Sequence, residues 1–311
     1  MYPKLGYACA RGKMKRERTD MQKTLFGQES CIVEPFRPQL LKWVGNKQRF
    51  AHQIVSYFPG GFETYHEPFL GSGGVLATLV PSKAVGSDCF KPLMEIWQTL
   101  SQEPELLKAW YRDRWMMMSG GEKTRVYEEV RASYNANPNG ADLVFLCRCC
   151  YGGVVRFRKA DGHISTPCGA HMPISPESFS LRVDEWRRRT KGASFLVMDY
   201  EEAMGMAKPG DLIYCDPPYT HSQPILYGAQ EFNLQRLFLL IDRCKSRGIR
   251  VALSIDGKKR SGREVCELPI PQGLFEREVF VSCGRSMLKR FQMGGRSLEH
   301  ELVADRLLLT Y

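Results

Sequence analysis

Leu212 to Cys215 form a short apolar run that leads straight into Asp216, Pro217, Pro218 and Tyr219. Neither proline can donate a backbone hydrogen bond, so a strand stops at this point and the chain leaves it along a stiff, extended path. A carboxylate and a phenol ring are thereby fixed beyond a strand's carboxyl end, where open α/β sheets take their ligands. The chemistry that fits this pair is the handling of an exocyclic amine on a nucleobase. Such an amine is a poor nucleophile, because its lone pair is spread into the ring. A carboxylate accepting one N–H and a nearby backbone carbonyl accepting the other hold the nitrogen towards an electrophile, and a tyrosine ring stacks on the base. The group acts through position and a local negative field and needs no metal.

A second stretch, residues 66–74, places Gly71, Gly73 and Gly74 between a strand and a short apolar run. Glycines there either let the backbone approach a ligand or simply make a tight turn. Asp88 lies at the end of the next expected strand, 17 residues after Gly71. An acid in that place binds ribose hydroxyls in nucleoside-binding folds, or caps the helix that follows. The phosphate-cradling pattern Gly-x-x-x-x-Gly-Lys-Ser/Thr does not occur, so the nucleoside ligand need not carry phosphates. Cys147, Cys149, Cys150, His163, Cys168 and His171 lack the paired Cys-x2-Cys spacing of a zinc site and read as small core residues at a helix end; no metal is expected.

The elements that must position these residues follow from the apolar spacing. Strand patterns around Glu67, before Asp88, at 194–198, 211–215 and 249–255 alternate with helical ones, and further strands are expected at 277–282 and 301–311. From Lys91 to about Cys150 the spacing is helical, "VVRFRKADGHIST" reads as a hairpin around Asp161-Gly162, and a basic amphipathic helix is expected over 176–191. The pattern predicts an α/β fold, a mainly parallel Rossmann-like sheet carrying an inserted helical and hairpin module. The expected divisions are a basic arm over 1–35, a first sheet part over 36–90, the insert over 91–190 and a second sheet part over 191–311. The chain's 311 residues are 43% hydrophobic, enough for a sizeable core, and no apolar run reaches bilayer length. The basic start has no apolar segment of the secretory kind, eleven cysteines without a framework pattern fit a reducing cytoplasm, and a net charge of +10 favours a polyanionic partner.

Taken in order, "LKWVGNK", "EPFLGSGG" and "DPPY" resemble the Dam-type (D12 class, group alpha) DNA adenine-N6 methyltransferases, and the likeness runs over most of residues 40–311. It implies a methyltransferase fold with S-adenosyl-L-methionine as cofactor. It implies cofactor contacts from Trp43, Lys47, Phe69, Gly71, Gly73, Asp88, Asp199 and Asp216, and catalysis by Asp216, Pro217, Pro218 and Tyr219. Position 46 is Asn where the family has a second glycine.

The implied partner is double-stranded DNA, from which the target adenine is rotated out of the stack. Tyr151 and Arg156 stand where the family intercalates and reads bases, with Gly152 where an Asn is usual; Val154, Arg158 and Pro167 complete that segment, and Arg285 and Lys289 a second phosphate-binding loop. Arg148, Arg182, Arg187, Arg188 and Arg189 are further phosphate candidates, the last ones equally a solvated helix face. A monomer is expected, with a restriction endonuclease acting on the same site as a candidate partner. Methylation of cytosine N4 or of an RNA base, and a non-catalytic DNA-binding protein, are the alternatives.

Overall fold

The computed structural model describes residues 33–118, 120–218, 232–255, 269–285 and 302–311. Its frame is a seven-stranded sheet made of β1 (Tyr65–Glu67), β2 (Ala84–Asp88), β3 (Ala193–Val197), β4 (Leu212–Cys215), β5 (Arg250–Ile255), β6 (Arg277–Arg285) and β7 (Leu302–Leu309). The spatial order is β3-β2-β1-β4-β5-β7-β6. The first five strands are parallel; β7 runs antiparallel to both β5 and β6. The chain moves outward from β1 to β2 and β3, then returns to place β4 on the other side of β1. The order therefore reverses between β1 and β4, and their carboxyl ends flank a crevice of the kind that receives ligands.

Burial follows strand parity. All four residues of β4 are buried, as expected for a parallel strand covered on both faces. Leu212 and Tyr214 join one core with Tyr65, Leu307 and Leu309, while Ile213 and Cys215 join a second with Val251, Leu253 and Leu308. The second core is closed by α8 (Tyr200–Gly205) and α9 (Leu234–Ser246) through Met204, Leu237 and Ile241. The first is closed by α1 (Ala51–Val55) and α2 (Gly74–Leu79) and by the helices between β2 and β3. These are α3 (Lys91–Gln102), α4 (Pro104–Met116), α5 (Lys123–Ala136), α6 (Gly140–Cys149) and α7 (Pro176–Arg189). Trp97 of α3 and Trp186 of α7, both fully buried, pack 5.3 Å apart in this core.

Local chemistry sets the helix starts. Pro176 begins α7 behind Ser175, whose hydroxyl accepts from the Ser178 amide, and Asn139 and Asn233 cap α6 and α9 in the same manner. Between α6 and α7 the expected hairpin is a loose ladder: Cys150 bridges Cys168 and Phe157 bridges Ile164, with Arg158 N on His163 O and Ser165 N on Arg156 O. It is tied down by side chains from α5. Asn135 both donates to Ile164 O and accepts from Ile164 N, so its amide takes the place of a neighbouring strand, and Tyr127 donates to Thr166 O.

Candidate active site

The carboxyl end of β1 runs through Glu67-Pro68-Phe69-Leu70 into the glycine turn. Gly71 and Gly73 both take positive φ, +48° and +62°, which side chains rarely adopt. Gly73 N donates to Leu70 O, and the Trp97 indole donates to Gly71 O, so the turn is pinned from below. A Cβ on Gly73 would meet the Trp97 ring at 3.2 Å. Gly73 thus faces the helical layer and shapes the turn, and does not line the cleft above it.

That cleft, about 1070 Å³ with its mouth included, lies at the reversal point. Trp43, Lys47, Phe69, Gly71, Asp88, Asp199, Asp216, Pro217 and Pro218 all border it, so residues spread over the chain meet at one place. Tyr219, Lys289 and the side chain of Arg285 lie outside the described residues, as do residues 1–32 of the basic arm.

Asp88 does more than end β2. Its carboxylate accepts from Gly71 N at 3.1 Å and from Phe90 N at 3.1 Å, linking the glycine turn to the start of α3. Phe90, rather than Asp88, occupies the N-cap position of α3. Asp199 caps α8 through the Glu201 amide at 2.7 Å, and the next residue, Tyr200, stacks on Phe69 with ring centres 5.1 Å apart. Phe232 meets both rings, at 5.9 and 5.8 Å. Three aromatic rings and the carboxylates of Asp88 and Asp199 therefore share one part of the cleft wall, suited to a flat heterocycle bearing a hydroxylated sugar.

At the carboxyl end of β4 the chemistry is ionic. Lys47 Nζ lies 3.0 Å from Asp216 Oδ1 and 3.0 Å from Asp305 Oδ2 of β7. Burial alone would lower the ammonium's proton affinity; the two carboxylates outweigh it and hold Lys47 firmly protonated. Glu67 is buried on the neighbouring wall, and Tyr65 Oη donates to its Oε2 at 2.8 Å. Burial, reinforced by the charge of Asp216, pushes the Glu67 carboxyl up to about 8, so it is protonated at neutral pH.

Sequence reasoning passed over Glu67, Asp305, Tyr200 and Phe232. For Glu67 the available sign was an acid inside a short apolar strand beside the glycine turn.

The segment expected to meet DNA is placed next to this cleft. Phe157 packs edge-on against Phe90 at 5.3 Å, and Phe90 in turn lies 6.1 Å from Trp43. Tyr151, Gly152, Arg156, Arg158 and Pro167 are exposed and Val154 is half-buried, while Phe157 itself is in the core. Arg158 is engaged with Asp161, Nε to Oδ1 at 3.0 Å.

Four of the other basic candidates are engaged within the protein. Arg148 is buried, donating to the carbonyls of Gln39 and Leu40, and burial lowers its proton affinity; it cannot reach a phosphate. Arg182 donates to Gln39 O at 2.6 Å, Arg189 lies over the Phe36 ring, and Arg188 pairs with Glu185. Arg187 remains exposed on α7. Cys147, Cys149 and Cys150 are buried thiols whose proton affinity burial raises, and among the described residues no three His, Cys, Asp or Glu side chains form a metal-binding group.

The D12 class N6 adenine-specific DNA methyltransferase family matches residues 43–268. The chain belongs to that family. The match begins at Trp43 and spans the glycine turn, Asp88 and the Asp216 strand exit, while β6 and β7 lie beyond it. The methyltransferase is 28% identical over 188 residues to the retron Ec67 DNA adenine methylase of Escherichia coli, covering 58% of this chain and 63% of that one. It is 28% identical over 229 residues to a DNA adenine methylase of Vibrio cholerae, covering 69% and 79% of the two chains. A type II methyltransferase of Methanocaldococcus jannaschii is 28% identical over 249 residues, 71% of this chain and 84% of that one. Among the described residues of the methyltransferase no helix is long and apolar enough to cross a membrane.

Proposed function

We propose that the protein transfers the methyl group of S-adenosyl-L-methionine to N6 of an adenine rotated out of double-stranded DNA. The observation that carries this is Asp216. It stands at the exit of β4, at the point where strand order reverses, on the wall of the cleft that Trp43, Phe69 and Asp88 also line. The cleft fits the cofactor by its donor set: carboxylates for the sugar hydroxyls and the cationic end, and the rings of Phe69, Tyr200 and Phe232 for the adenine. When bound, the cofactor supplies an electrophilic methyl group on a sulfonium sulfur.

The protein's part is positional. Asp216 accepts one N6–H, the Pro217 carbonyl accepts the second, and Tyr219 stacks on the base. The proton that N6 loses passes to Asp216 or to water. Lys47 fixes the Asp216 carboxylate from behind, so the acceptor is aimed before the base arrives. The segment 151–168, inserted between β2 and β3 and abutting the cleft through Phe157 and Phe90, is the target-recognition element. Tyr151 serves as its wedge and Arg156 as its base reader.

Mass analysis of nucleosides from a host expressing the protein should show N6-methyladenine, and long-read sequencing should place it in one sequence context. N4-methylcytosine or methylated RNA as the product, or no product at all, would overturn the reading. Asp216→Ala should abolish the product while DNA binding persists.

A further inference from the structure

The ladder of the segment 151–168 carries a mismatch. Its two bridges join Cys150 to Cys168 and Phe157 to Ile164, so six residues on one arm, 151–156, face only three on the other, 165–167. The two backbones cannot pair rung for rung across such a gap. Thr166, in the middle of the shorter arm, takes over with its side chain. Its hydroxyl accepts from Arg156 N at 2.7 Å and donates to Val154 O at 3.0 Å. One hydroxyl thus serves two main-chain groups of the longer arm, as acceptor for one and donor to the other. Thr166 is itself buried and anchored from behind: its carbonyl accepts from Tyr127 Oη at 2.7 Å and from Arg131 Nη1 at 3.3 Å, both on α5. Val155 and Phe157 are buried on either side of Arg156, which is exposed between them. The backbone held by the Thr166 hydroxyl is therefore the base from which the Arg156 side chain leaves the protein.

We propose that Thr166 is the positioning residue for Arg156: its hydroxyl, in place of a strand ladder, fixes the backbone that aims the guanidinium at one base. This rests on the reading of Arg156 as base reader given above. An arginine reads a base edge through two parallel hydrogen bonds, and that geometry tolerates little misdirection. Attraction to phosphates carries no sequence information and survives a loosened side chain. Without the hydroxyl, Arg156 N and Val154 O lose their shared partner and the arm gains backbone freedom, so sequence discrimination falls while affinity for duplex in general persists. None of Val154, Arg156 and Thr166 lines the cleft, so the methyl-transfer machinery stays in place.

The test is long-read sequencing of DNA from a host that makes no N6-methyladenine of its own. The host expresses in turn the full wild-type chain, Arg156→Ala, Thr166→Val, Thr166→Ser and the double variant Arg156→Ala with Thr166→Val, and the melting temperature of each purified chain is measured in parallel. Arg156→Ala should relax the modified sequence context at one position. Thr166→Val keeps the branched shape and removes the hydroxyl; it should relax that same position, with modification outside the wild-type context raised by about tenfold. Thr166→Ser keeps the hydroxyl and should stay within about twofold of wild type, and the double variant should be no more relaxed than Arg156→Ala. A brace without a part in aiming would lower the melting temperature of Thr166→Val and leave the context as it was, and that result would overturn the proposal. So would relaxation at a different position, equal relaxation by Thr166→Ser, or loss of all methylation by a folded Thr166→Val chain. Should Thr166→Val not fold, Thr166→Ala is measured and read in the same way. If Arg156→Ala leaves the context unchanged, or the wild-type chain modifies no adenine, the underlying reading fails instead, and those two controls tell the failures apart.

Discussion

Asp211 and Asp216 stand at opposite ends of β4, four buried residues apart, and differ in almost everything but chemistry. Asp211, at the amino end, is closed in: it accepts from Thr64 N at 3.0 Å and Lys208 N at 2.8 Å, and meets His66 Nε2 at 2.9 Å. Burial alone would raise its proton affinity; the Lys208 amide, His66 and the Thr64 amide outweigh that and hold the carboxyl below its ordinary value. Asp216, at the carboxyl end, has one oxygen on Lys47 and borders the cleft. The first aspartate closes a join between loops, and the second borders the cleft, where it is proposed to hold the amine. Parallel strands produce this asymmetry, since their carboxyl ends splay at a reversal of strand order while their amino ends are bound together by connecting turns.

Exchanging the two carboxylates for amides separates the roles most widely. Asp216→Asn should lower kcat/KM by about a thousandfold or more with a smaller loss of stability, since Asp305 still pairs the buried Lys47. Asp211→Asn should do the reverse, costing about 2–4 kcal/mol in denaturant unfolding while the folded fraction turns over at a rate within a few-fold of wild type. If Asp211→Asn instead removed activity from folded protein, the contrast between the two ends would break.

The pH dependence of stability sharpens the contrast. The depressed Asp211 carboxyl contributes stability that is present above its ordinary value of 3.8 and lost as the pH falls through its folded value. Glu67, pushed up from 4.5 to about 8, has the opposite sign. Its contribution is complete below the ordinary value and disappears as pH rises through about 8. Glu67→Gln should therefore gain stability relative to wild type between about pH 5 and pH 9, read as the difference in melting temperature across that range. A constant difference would mean that Glu67 is ionised in the folded protein.

The smallest expected effects separate a basic residue poised for DNA from one already engaged. Arg156→Ala should weaken binding of the cognate duplex by about 1–3 kcal/mol and relax its sequence preference. Arg188→Ala, removing a side chain held by Glu185 on the surface of α7, should leave the melting temperature and, by titration calorimetry, the duplex affinity essentially unchanged.

Much of this arrangement can be read from the residues themselves. Pro217 and Pro218 forbid any continuation of β4, so Asp216 had to sit at a strand exit. The alternation of apolar runs announced the sheet, and the helical spacing from Lys91 announced α3 to α6. Individual partners are less legible. Arg148 and Arg156 look alike as letters, yet one is buried at the end of a helix whose last turns are all core and the other is exposed on a loop. Arg188 and Arg189 could have been discounted, because Glu185 precedes them at the i−3 and i−4 spacings that pair on a helix. Asp305 was hidden for a different reason: its partner Lys47 is at the other end of the chain, and local pattern carries no information on pairings across such a distance. Only strand parity, shared with Leu307 and Leu309, marked it as inward-facing.

β7 is threaded between β5 and β6, and it arrives late in the chain's own order. A growing polypeptide that has already emerged through Phe232 holds the glycine turn, Asp88, Asp199 and the three rings, yet Lys47 still has one anion fewer than in the finished sheet. Insertion of this strand both seals the hydrophobic layers and brings a second carboxylate to Lys47. A molecule ending before β7 would lack both the second carboxylate on Lys47 and the strand that joins β5 to β6.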